Sequence, residues 1–119
     1  MKIKFAISGA HFDGEDFLLK AQNIPEVFDL WDLKEELGEV GVTLEFYKVI
    51  NTIPYSFGKF LISNKLLLMD ETITAKELML EFQNNIVNND NLSGLYFVKS
   101  KFIKLLGSLD IFCSISFDK

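Results

Sequence analysis

Residues 2–8 (KIKFAIS) alternate, with Ile3, Phe5 and Ile7 on one side and Lys2, Lys4, Ala6 and Ser8 on the other. A period of two predicts a half-buried strand. Gly9 and Gly14 mark a loop, and residues 15–22 fit a short helix. The next segment has a helical period. At about 100° per residue, Val27, Leu30, Leu33 and Leu37 share one face, widened by Phe28 and Trp31. Asp29, Asp32 and Glu36 fall within roughly 60° of one another on the far side. Asn23 suits a cap, Pro25 the first turn and Gly38 the stop. Residues 25–37 are therefore expected to form an amphipathic helix with an acidic stripe.

Residues 42–50 (VTLEFYKVI) read as a strand, rich in β-branched and aromatic residues. A loop containing Pro54 and Tyr55 follows. Residues 57–62 and 65–69 look like a hairpin around Ser63 and Asn64, without the usual glycine. Residues 74–88 carry helix signals. Thr74 and Glu77 fit a capping box, Ile73 and Leu78 a hydrophobic staple, and Leu78, Phe82 and Ile86 an apolar stripe. The Asn-rich run 84–91 would end that helix. Residues 94–106 fit a helix closed by Gly107, although 95–98 also fit a strand. Residues 110–117 alternate Ile111, Cys113, Ile115 and Phe117 with Phe112, Ser114 and Ser116, as a closing strand paired with the first would. Strands and helices mix without strict alternation. The expected class is α+β, a mostly antiparallel sheet of about five strands with two to about four helices packed on it. No repeat or linker divides the 119 residues, so a single domain is expected over 1–119.

Composition narrows the function. A chain of this length buries roughly two-thirds of its unfolded surface. With 49% hydrophobic residues, twelve Phe and a mean hydropathy of +0.20, the core is dense or part of the apolar surface is covered by a partner or a second copy. No apolar run approaches the length of a membrane span, and residues 1–8 lack the apolar core of a signal peptide. The lone Cys113 excludes an internal disulfide. A reducing, cytoplasmic setting is expected, and the Lys/Asn/Ile/Phe-rich composition suits a bacterium or phage with an AT-rich genome. All twelve cations are lysines, and the net charge is −5. Affinity for nucleic acid is largely cationic and arginine is its usual bidentate donor, so nucleic acid is not an expected partner.

No catalytic motif stands out, and the chain reads as non-enzymatic. His11 is the only histidine and reads as an exposed loop residue, since a metal site needs three or four convergent ligands. Gly9 and Gly14 match no phosphate loop. Cys113 reads as a buried core thiol. Neither a cofactor nor a metal is expected. A small enzyme or ligand-binding domain, built on carboxylates, hydroxyls or backbone groups, is the alternative.

The charge is unevenly placed. Residues 13–45 hold ten acids against Lys20 and Lys34, a local net of −8. Residues 25–39 alone hold six carboxylates around Trp31 and one lysine. Exposed helices usually interleave lysines with such acids, and concentrated like charge costs stability. A basic partner would relieve it. The expected contact residues are Glu26, Asp29, Trp31, Asp32, Glu35, Glu36 and Glu39, with Tyr55 as a second aromatic anchor. In size, charge and expected compartment the chain resembles bacterial immunity proteins, the cognate inhibitors of secreted or contact-delivered toxins. That resemblance implies a one-to-one complex with a basic toxin domain, often a nuclease, with no membrane or nucleic acid involved. A homodimer is the other assembly the apolar excess allows.

Overall fold

Strand β1 (Lys2–Gly9) runs through the middle of the sheet, with β3 (Glu39–Phe46) on one side and β4 (Ile73–Phe82) on the other, both antiparallel to it. The structure is a computed structural model, and it describes residues 2–22, 24, 28–36, 38–46, 53–82 and 100–117. Beyond β3 lies β2 (Phe28–Glu36), antiparallel, and beyond β4 lies β5 (Phe112–Phe117), parallel. The order β2-β3-β1-β4-β5 makes an α+β, mostly antiparallel mixed sheet. The helices are α1 (Gly14–Ala21), α2 (Tyr55–Ser63), α3 (Lys65–Leu68) and α4 (Ser100–Ser108).

The helices share one face of the sheet. Ile3, Phe5 and Ile7 of β1 are buried in register with Val42 and Leu44 of β3 and with Leu78 and Leu80 of β4. Phe17 of α1 and Phe57 of α2 pack on Phe5, with ring centroids 6.3 and 5.7 Å away. Phe57 also meets Phe46 of β3 at 5.5 Å and Phe102 of α4 at 6.2 Å. The opposite sheet face is half-exposed, and there Lys2 and Lys4 reach Glu45 at 3.7 and 4.0 Å.

Three expectations are corrected. First, the segment after residue 25 is a strand over its described part, not a helix. Gly38, with φ +81°, was read as a helix stop. It instead belongs to the two-residue link between β2 and β3, where Glu36 already pairs with Glu39. A left-handed glycine serves either purpose, so it cannot discriminate between them.

Second, residues 73–82 form β4 rather than the start of a helix, and the rest of 74–88 lies outside the described residues. The supposed capping pair makes strand contacts instead. The Thr74 hydroxyl lies 3.3 Å from the Ser8 carbonyl, and Glu77 accepts a hydrogen bond from the Ser114 hydroxyl at 3.1 Å. An Asp70 carboxylate accepting from the Thr72 amide and hydroxyl, each at 2.8 Å, shapes the turn into β4.

Third, the expected hairpin at 57–69 is α2 followed by α3. Phe57, Phe60, Leu61 and Leu68 are its buried positions, a helical period that the short apolar runs concealed. Asn64 joins the two helices. Its backbone and side-chain N–H groups both donate to the Phe60 carbonyl, at 3.1 and 2.8 Å, and its own carbonyl accepts from Leu68.

Other expectations agree with the structure. β1, α1 and a final strand form, the strand expected over 42–50 is Glu39–Phe46, and the helix expected over 94–106 is Ser100–Ser108. The final strand, however, pairs with β4 at the sheet edge rather than with β1. Helix α4 runs through Gly107 and ends in a Schellman turn. Ile111 N–H donates to the Leu106 carbonyl and Asp110, at φ +56°, donates to that of Gly107. Residues 47–50 and 94–99 lie outside the described residues.

Candidate functional site

Among the described residues, β2, which carries part of the acidic segment, ends the sheet. β2 contributes Asp29, Asp32, Glu35 and Glu36 and one cation, Lys34, along nine residues, a span of roughly 30 Å. Its pairing with β3 shifts between Phe28 and Leu30, which leaves Asp29 as the extra residue of a bulge. From Leu30 onward the register is regular. Leu30, Asp32, Lys34 and Glu36 stand opposite Glu45, Thr43, Gly41 and Glu39 on the half-exposed face of the sheet. Trp31, Leu33 and Glu35 stand opposite Leu44, Val42 and Val40, the row that faces the helices. The helical stripe Asp29–Asp32–Glu36 therefore does not exist as such. Asp32 and Glu36 remain in phase along the strand, and Asp29 belongs to the bulge.

In the register, Glu36 and Glu39 are paired positions at the hairpin end. Like charges in directly opposed cross-strand positions are destabilising. Glu39 is exposed. Among the described acids outside β2 and its turn, Asp13, Asp16 and Glu45 have local partners. Asp13 caps α1 by accepting from the Asp16 amide at 3.0 Å, and Asp16 pairs with Lys20 at 2.9 Å. Glu15 and Asp16 lie in the first turn of α1, where carboxylates favour the helix dipole. Glu45 is bridged by two lysines. The acidic stretch thus divides into carboxylates with a structural task and a set on β2 and its turn.

Tyr55 opens α2 and is 80% exposed, with the Lys59 ammonium 4.9 Å from its ring centre. Phe57, two residues on, packs against Phe46, which pairs with Phe28. Tyr55 therefore belongs near the Phe28 end of the β2–β3 pair, whereas Glu36 and Glu39 close the other end. The structure spreads the candidate residues along one edge rather than gathering them at one point. Glu26 lies outside the described residues.

Other chemistry is weakly supported. His11 is exposed in the β1–α1 loop at φ +59°. Cys113 is half-buried on β5, opposite Leu78 and packed against the core. Burial and, secondarily, the neighbouring Glu77 push its thiol up, which keeps it protonated. Among the described residues, no group of three His, Cys, Asp or Glu side chains is arranged to hold a metal. No described helix is long and apolar enough to cross a membrane. Two open depressions exist. One of about 250 Å³ lies on the half-exposed sheet face, floored by Ala6, Gly41 and Ala75 beside Glu77. The other, about 440 Å³, lies between α1 and α2, bordered by Lys20, Lys59, Phe60 and Asn64. Ser8 and Thr43 also line the first, and Ser56 and Ser63 the second.

Sequence reasoning missed Lys76. Its position on β4 is opposite Ile7, in the row that faces the helices. Its ammonium donates to the Leu68 carbonyl at 2.7 Å and the Leu109 carbonyl at 2.6 Å, tying the C-terminal ends of α3 and α4 to the sheet. Burial lowers its pKa from the ordinary lysine value, against a smaller upward pull from Asp110. The only signal in the sequence was a lysine interrupting an otherwise apolar alternation. Compared with known proteins, the chain matches no family model, no curated protein and no solved structure.

Proposed function

We propose that this protein is a small acidic binding protein that neutralises a basic protein partner, in the manner of the immunity proteins it resembles, with a toxin domain, such as a nuclease, as the partner. One observation carries the reading. The carboxylates of β2 and its turn include two, Glu36 and Glu39, held directly opposite each other in the sheet register. A basic surface laid along this edge would remove that repulsion and gain long-range attraction. β2 ends the strand order among the described residues, and a partner strand or loop added beside it would find backbone as well as charge. Trp31 and Tyr55 are the aromatic anchors of the proposal. No cofactor, metal or catalytic step is part of it.

The test is the association rate with a basic toxin domain encoded beside this gene, measured across a salt series. Wild type should associate fast and slow steeply with salt. The Asp32→Lys/Glu36→Lys double variant should lose most of both the rate and its salt dependence while melting no lower than wild type. Asp29→Lys, placed at the bulge, should act less. Equal binding by wild type and double variant would move the interface away from β2. If the double variant instead self-associates, the acids serve as guards of an edge strand against unwanted pairing.

A further inference from the structure

The outer side of the helical layer is the chemical opposite of β2. From Tyr55 to Met69 and from Ser100 to Leu109 the charged residues are Lys59, Lys65, Lys101 and Lys104, with no carboxylate among them. All four lysines are exposed. Between them stand large apolar side chains in solvent: Leu66 is 91% exposed, Ile62 58% and Ile103 55%. Tyr55, Lys59 and Ile62 follow one another at i, i+4 and i+7 on the side of α2 opposite the buried Phe57, Phe60 and Leu61.

The three helices form one layer. Asn64 links α2 to α3, Phe102 of α4 lies against Phe57 of α2, and Lys76 binds the ends of α3 and α4 together. The layer's border is acidic. Asp70 and Glu71 follow α3 and Asp110 follows α4, all exposed.

We infer that the outer face of α2, α3 and α4 docks on an anionic lipid surface. Single apolar side chains alternating with lysines on outward helix faces suit the interface of a bilayer. There the apolar groups enter the acyl boundary, the long lysine stems lie along it, and the ammoniums meet phosphates and carboxylates. An exposed tyrosine at the start of α2 fits the headgroup level. Each lysine near such a surface adds attraction that falls off within a Debye length, so the four on this face act locally although the chain's net charge is −5 and Asp70, Glu71 and Asp110 stand at its border. This inference goes beyond the proposed inhibitor reading and stands without it. It also differs from spanning by a helix, for which no described helix is long and apolar enough.

The full chain is tested by co-sedimentation with phosphatidylcholine vesicles, with and without phosphatidylserine. Sedimentation is expected with the anionic vesicles alone, and it should weaken as salt rises. Lys59→Glu/Lys65→Glu should lower the partition coefficient by at least about tenfold, and Ile62→Ser/Leu66→Ser by a similar factor. Both pairs change exposed side chains, so circular dichroism should confirm unaltered folding. Phe112→Ser, on β5, should leave binding unchanged. Absence of sedimentation with phosphatidylserine overturns the inference, as does equal binding to neutral vesicles or indifference to both helix variants. Binding of poly-glutamate at these residues without vesicle binding would reassign the face to acidic polypeptides and overturn it too.

Discussion

β1 and β4 lie side by side in the same sheet and bury the same kind of row, yet their sequences look different. KIKFAISG alternates strictly, and every second residue from Ile3 to Gly9 is buried. ITAKELMLEF is rich in Ala, Lys, Glu, Leu and Met, the residues that favour helices, and it opens with a capping box. Leu78 and Leu80 nevertheless stand opposite Phe5 and Ile3, both leucines essentially without exposure. The next residue in that row is Lys76, opposite Ile7. A lysine there hides the alternation in sequence, and the structure uses it to bind two helix ends. The lesson is that intrinsic preference, worth under about 1 kcal/mol per residue, yields to burial against two neighbouring strands.

The largest expected effect tests whether the two strands are equal partners. Phe5→Ala should cost about 3–5 kcal/mol and Leu78→Ala about 2–5 kcal/mol, read from urea midpoints. Against a total of about 5–15 kcal/mol, either brings the fold near its limit. A cost below about 1 kcal/mol for Leu78→Ala alone would break the comparison and remove β4 from the core.

Next comes the point where β1 and β4 approach most closely. A Cβ on Gly9 would meet the Thr72 carbonyl oxygen at 2.3 Å and the Ile73 Cα at 2.8 Å, both backbone atoms. The register shifts there, between Ser8 and Gly9. Gly9→Ala should therefore cost about 1–3 kcal/mol. Gly107→Ala in α4, where a Cβ meets nothing within 4 Å, should be neutral or stabilise by up to about 1 kcal/mol. Comparable losses at both glycines in a thermal melt would mean that crowding at Gly9 is not what matters.

Lys76→Met keeps the stem and removes the ammonium. Two buried helix-end carbonyls lose a charged donor, at an expected cost of about 1–3 kcal/mol. Because burial lowers the folded-state pKa of Lys76, the unfolded chain holds that proton more tightly in the window below 10.5. The stability of wild type relative to Lys76→Met should therefore rise with pH through that window. A flat or falling difference would contradict the burial.

The smallest effect is at the acidic edge. Glu36→Lys turns the like-charge pair with Glu39 into an opposite-charge pair, and it should stabilise the free protein by about 0.2–1 kcal/mol. A loss of stability on this change would show that Glu36 has a structural task, as Asp13 and Asp16 do.

The candidate site was partly legible. The acidic excess between residues 13 and 45 is a matter of composition and needs no structure. Its shape was not legible, because Val27, Leu30, Leu33 and Leu37 satisfy a helical period that a bulged strand also tolerates. Tyr55, expected in a loop after Pro54, instead opens α2 and is exposed there. The lysine-bearing outer face around it was not legible, because each contributing segment is short and becomes a surface only when α2, α3 and α4 pack together.

The sequence by itself determined the α+β class, the first alternating strand, α1, the last helix and strand, the absence of arginine and the concentration of acids. These follow from local period and composition, which do not depend on what lies across the sheet. Tertiary structure decided the rest: that residues 28–36 and 73–82 are strands, that 55–68 are helical, that β5 joins β4 in parallel, and that Lys76 faces the helices. Residues 28–36 pair with the adjacent β3, and the others depend on a partner distant in sequence. Segments whose local preferences differ by a few kcal/mol or less take the form that buries the most apolar surface against that partner.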